Sequence, residues 1–117
     1  MVREESKKMN GEFLLGLLDS IVDPIVFVDT HHVIRYINKA AKEKYGKRGY
    51  VDLVGSSIFK YHSERSNVIL LEIYENFQNG DDEKFLLVNK TDQKVFMRAV
   101  RDKEGNLIGY YERYEKA

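Results

Sequence analysis

Cysteine is absent from the 117-residue chain, and so is tryptophan. The first absence excludes disulfides, thiolate zinc sites, iron–sulfur clusters and a cysteine nucleophile. Net charge is missing as well, because 19 Lys and Arg balance 19 Asp and Glu. Nucleic-acid binding needs a basic excess to neutralise phosphates, and an anionic membrane surface attracts a polybasic stretch. Neither partner is expected. No apolar run approaches the roughly 18 residues of a membrane helix. Residues Met1 to Asn10 are polar and carry no apolar signal core, so a soluble, cytoplasmic protein is the expectation. No nucleophile–base constellation and no phosphate-cradling glycine loop is visible, since Gly105 and Gly109 fall in a hairpin. An enzyme is not expected.

What is present suits one packed domain: 43% hydrophobic residues, with eight Tyr and six Phe. Met9, Phe13, Leu14, Leu17, Leu18 and Ile21 recur at spacings of three and four, which predicts an apolar stripe on a helix over Arg3 to Asp19. Pro24 disfavours the helical state at Asp23 and ends that stretch. Ile25 to Val28 and Val33 to Ile37 read as a hairpin around the polar turn Asp29-Thr30-His31-His32. Asn38 has the chemistry to cap a short helix, Lys39 to Tyr45, stopped by Gly46. A turn of helix is expected at Val51 to Val54. Ser63 caps a longer helix over Glu64 to Gln78, on which Ser66, Leu70, Ile73 and Phe77 share a face. Three strands follow, Lys84 to Asn89, Val95 to Val100 and Leu107 to Tyr114, joined by short turns and therefore antiparallel. The economical architecture is α+β: one five-stranded antiparallel sheet with helices on one face and an N-terminal helix.

Several segments carry a resemblance. They are Leu18-Asp19-Ser20 with Pro24 to Asp29, Val33 to Ala41 with its Asn-x-Ala-Ala, Val54-Gly55-Ser56-Ser57-Ile58-Phe59, and Arg101 to Gly109. None is specific alone, but in this order and spacing the chain resembles a PAS domain from about Leu14 to its end. The resemblance implies a sensory and interaction module with a pocket between sheet and helices. It also implies dimerisation through an N-terminal helix, giving a division into residues 1–20 (cap or dimer contact) and 21–117 (the PAS domain). Branches of the family that attach flavin or another chromophore through Cys do not match, and neither do those that place a Trp beside FAD.

Tyr61-His62-Ser63-Glu64-Arg65-Ser66 is similar to the H-P-x-[KR]-S element of a PAS subgroup, with Ser63 in place of the proline. That subgroup includes hemerythrin-associated PAS domains and resembles haem-containing, carbon-monoxide-responsive regulators. Carried onto this chain, the resemblance makes His62 the axial ligand of a haem b iron. The Met that supplies the second ligand there has no counterpart in Phe85-Leu86-Leu87, and Met97 lies on the following strand. The other reading of His62 is a structural one, in which the ring buttresses the start of the helix.

Ile58, Phe59, Ile69, Leu70, Ile73, Phe85, Leu87, Val95 and Met97 have the bulk to line an apolar cavity for haem or another small apolar ligand, or to fill a solid core. His31 and His32 are adjacent and point apart on an extended chain, so a solvated turn is expected of them rather than a metal site. Tyr110 and Tyr114 fall on one face of the last strand and Tyr111 on the other. Two functional readings remain open. One is a sensor that binds a ligand or haem and signals through a homodimer or a partner signalling protein. The other is a cofactor-free interaction and dimerisation module.

Overall fold

The computed structural model describes residues 10–117, so residues 3–9 of the expected N-terminal helix lie outside the described residues. The Asn10 side chain accepts a hydrogen bond from the Phe13 amide at 2.9 Å and opens α1 (Gly11–Asp19). A hairpin follows, β1 (Val26–Asp29) and β2 (Ile34–Ile37). Its turn is built on the Asp29 carboxylate, which accepts from the amides of His31 and Val33. Next come α2 (Lys39–Gly46), a 3-10 turn (Ile58–Tyr61) and α3 (Glu64–Gln78), the last capped by Ser63 as its sequence predicts. Strands β3 (Glu83–Val88), β4 (Gln93–Arg101) and β5 (Leu107–Lys116) complete the chain.

The sheet is antiparallel throughout, with spatial order β2-β1-β5-β4-β3. The first and last strands of the sequence therefore meet in the middle. Their contact is short, Val28 opposite Tyr110 and Asp29 opposite Gly109. Gly109 is required there for space. A Cβ at this position would lie 2.2 Å from the Val28 carbonyl oxygen and 2.6 Å from the Phe27 ring. The outer edge of β2 is covered by the segment leading to the 3-10 turn. Gly55, at φ +92°, turns that segment so that its amide donates to the Ile34 carbonyl at 2.8 Å.

Val28, Ile34, Ile37, Ala41, Leu53, Ile73, Phe77, Met97 and Tyr110 form the buried core between the sheet and the helical segment. The turn of helix expected at Val51 to Val54 does not form. The chain there is irregular and buries Leu53 alone. Asn38 is the buried polar side chain of this core, and five hydrogen bonds account for it. Its Oδ1 accepts from the Ala41 amide, which caps α2, and from the Ile25 amide at 2.8 Å. Its amide group donates to the carbonyls of Leu18, Ile21 and Asp23. One residue therefore caps a helix and ties down the chain between α1 and β1. Arg101 does similar work at the other end of α3, donating to the Phe77 and Asp81 carbonyls and pairing with Asp82 at 2.9 Å. Among the described residues no helix is long and apolar enough to cross a membrane.

Candidate functional site: a cleft between sheet and helices

A cavity of about 330 Å³ lies between the inner face of the sheet and the stretch from α2 to α3. That places it at the lower end of small-molecule pockets, which run from about 300 to 1,000 Å³. The sheet contributes Val26, Val28, Ile34, Met97 and Tyr110 to its apolar wall, and the opposite side contributes Leu53, Ile58 and Leu70. Strand alternation puts Tyr110, Glu112 and Tyr114 of β5 on this inner face, paired with Ala99, Met97 and Val95 of β4.

The mouth is polar and aromatic. Tyr45, Tyr50 and Tyr61 stand around it with Tyr114. Tyr50 meets Tyr61 edge-on, with ring centroids 5.6 Å apart. Arg48 lines the helical side, its guanidinium carbon 5.7 Å from the Tyr45 centroid. Glu112 lines the sheet side. Water reaches its carboxylate through the mouth, while crowding by protein on the other sides pushes its pKa up. The charges of His62 and Lys44 and the Tyr114 hydroxyl act in the opposite direction. The same crowding raises the Tyr114 phenol, and the nearby Glu112 charge adds to it.

The residues singled out from the sequence divide. Ile58, Leu70, Met97 and His62 line the cleft, with His62 exposed at the mouth, directly after the 3-10 turn. Ile73 and Val95 are buried elsewhere. Phe59 packs on the His32 ring at a centroid distance of 4.9 Å. Ile69 lies on the exposed side of α3. Phe85 and Leu87 do not face the cleft and remain 48% and 51% exposed. They sit on β3, an edge strand with a register irregularity between Phe85 and Leu87, and Leu86 is the residue of the run that packs on the core. Alternation along the strand then carries Phe85 and Leu87 to the outer face while Leu86 faces the core, so the apolar run does not translate into a buried face. Phe85 instead meets Phe96, 5.5 Å away between centroids. The Arg113 guanidinium covers Phe96 at 4.2 Å and pairs with Glu83.

His32 corrects the expectation of a solvated turn. It adopts a left-handed φ of 64°, which turns its ring inward. The ring is half-buried between Phe59 and Tyr74, and its Nδ1 lies 2.8 Å from the Tyr110 hydroxyl. Nothing in the spacing of residues 29–34 announces this. Glu112 sits among the tyrosines of β5, and its alternation with Tyr110 and Tyr114 places it on their face.

Haem fits these residues poorly. The space is small for a tetrapyrrole, tyrosines crowd its entrance, and the His62 imidazole stands at the wet mouth beside a carboxylate rather than in a dry interior.

The profile of the PAS fold matches residues 12–111, so the chain belongs to the PAS family. PAS domains are commonly sensory signal-transduction modules, regulatory rather than catalytic. Solved structures share the fold. A C-terminal domain from Streptococcus mutans aligns with a TM-score of 0.75 at 23% identity, covering 92% of this chain and 85% of that one. The PAS domain of a protein from Colwellia psychrerythraea aligns at 0.65 and 13% identity, covering 91% and 95%. The PAS domain of BvgS from Bordetella pertussis aligns at 0.58 and 18% identity, covering 91% and 85%. No curated protein matches the chain.

Proposed function

We propose that this chain is a non-catalytic sensory domain acting in the cytoplasm, whose signal is the occupancy of the cleft by a small molecule other than haem. The observation that carries this reading is the cleft itself: apolar walls, a mouth of tyrosines, and ionisable groups from both the sheet and the helical side. Tyr110 lines the cleft and also holds His32 in the β1–β2 turn. A ligand pressing on Tyr110 thus acts on the hairpin, whose Tyr36 hydroxyl donates to Asp19 at the end of α1. A molecule that binds one arrangement of these elements better than another shifts the balance between them.

The direct test is thermal unfolding and native mass spectrometry of the purified chain against a panel of small metabolites, with an ultraviolet–visible scan before and after adding haem. A retained or stabilising small molecule without a strong Soret band is expected. A strong Soret band that His62→Ala abolishes would replace the small molecule by haem with His62 as its ligand.

One observation favours a second reading, a dimerisation module. α1 carries Phe13, Leu14, Leu15 and Leu17 all exposed, up to 61% for Phe13, and buries none of its residues. A helix this apolar is stabilised by covering that surface, and a second copy is the commonest cover. Light scattering on the intact chain is expected to give a dimer that Leu17→Lys with Phe13→Lys dissociates. An unchanged mass in that variant would remove α1 from the contact.

A further inference from the structure

Two opposite charges, Glu112 and Arg48, line the cleft without an ion pair among the described residues, and the exposed His62 on the same lining is the nearest cationic group to Glu112. Glu112 on β5 makes no ion pair among the described residues, and its one side-chain hydrogen bond is a long 3.4 Å contact from the Tyr114 hydroxyl. Arg48, after α2, makes no ion pair either, and its guanidinium rests against Tyr45. The two stand on different walls, one on the sheet and one on the helical side. The Lys44 ammonium lies 5.4 and 5.7 Å from the Tyr45 and Tyr114 centroids and does not line the cleft.

That arrangement selects among ligands. Arg48 and Glu112 are both exposed at the cleft, so an apolar molecule would displace part of their water and pair neither, which costs free energy for each. A simple cation would gain Glu112 and be repelled by Arg48, and a simple anion would meet the reverse. A molecule with both charges satisfies both walls and leaves its body among Val26, Val28, Leu70 and Met97. The tyrosine rings at the mouth add favourable faces for an ammonium group. We propose that the cleft binds a small zwitterion, an amino acid or a close analogue with an apolar or aromatic side chain, its ammonium toward Glu112 and its carboxylate toward Arg48. This rests on the reading of the cleft as a ligand site.

Calorimetric titration of the full chain tests it with four probes of one body: phenylalanine, 2-phenylethylamine, 3-phenylpropanoate and 3-phenylpropan-1-ol. Phenylalanine should bind about tenfold or more tighter than the amine, the acid or the alcohol, because each of these leaves one or both charged walls unpaired. Glu112→Gln should bring phenylalanine down to the acid's affinity, and Arg48→Gln down to the amine's. Glu112→Asp and Arg48→Lys, which keep the charges, should retain the preference, and far-ultraviolet circular dichroism should show all four variants folded. Amine or acid binding as tightly as phenylalanine overturns the zwitterion. The alcohol binding best overturns it too, while leaving the cleft a ligand site. Binding by none of the four overturns both readings.

Discussion

The His32 imidazole and the Tyr110 hydroxyl meet at 2.8 Å, joining the β1–β2 turn to the central strand across 78 residues of sequence. Burial holds the Tyr110 phenol protonated, because its pKa is raised well above the usual value. The protonated phenol and the imidazole share this hydrogen bond, and the tautomer of His32 sets which of the two donates. Burial also lowers the pKa of His32, with the Asp29 charge partly opposing it.

Acid should weaken the fold through this residue. The unfolded chain takes up the proton at the ordinary histidine value of 6.5, while the folded imidazole resists it. Stability is therefore level above that value and falls as the pH drops through it. The carboxylates with lowered values, Asp19, Asp102 and Glu83, act below 4.5, outside this window. Urea unfolding at about pH 7.5 and about pH 5.5 should show the loss, and His32→Phe should flatten it. At neutral pH the same variant should cost about 1–3 kcal/mol, since the Tyr110 hydroxyl loses its partner. An undiminished pH slope in His32→Phe would assign the effect to another group.

Asn38→Ala should be among the most damaging single changes in the chain. It removes the cap of α2 and leaves the Ile25 amide and the carbonyls of Leu18, Ile21 and Asp23 without their partner. A loss of about 2–4 kcal/mol is expected from denaturant unfolding. Asn38→Asp keeps the two accepted bonds and loses the three donated ones, so it should still destabilise.

Gly109→Ala should disrupt the meeting of the first and last strands. The new methyl group would fall 2.2 Å from the Val28 oxygen, a backbone atom that cannot swing away. A cost of about 2 kcal/mol or more is expected. Amide hydrogen exchange should rise first at Val28, Asp29 and Tyr110, the paired positions.

Phe77→Ala and Phe85→Ala should differ sharply despite identical chemistry. Phe77 is fully buried, and its loss should cost about 3–5 kcal/mol. Phe85 is 48% exposed on an outer strand, where it meets Phe96 edge-on, so its loss should cost about 1 kcal/mol or less. Equal losses would mean that Phe85 packs into the interior.

The elements that obey local rules are legible in the order of residues. The Ser63 cap and the Ile73 and Phe77 spacing of α3 depend only on neighbours a turn away, and so does the Asn38 cap of α2. The alternation of Tyr110 and Tyr114 depends on the strand period alone. Long-range packing made Asn38 also bind backbone up to 20 residues earlier, because those groups approach it only after folding. It decided that Phe85 and Leu87 turn outward and Leu86 inward, because in a run of consecutive apolar residues hydrophobicity does not mark which alternate set faces the core. It brought His32 to Tyr110 and set Glu112 of the sheet and Arg48 of the helical side on the lining of one cleft. Each of those placements joins residues distant in sequence, and pairing over such distances is fixed by how sheet and helices pack rather than by any local period.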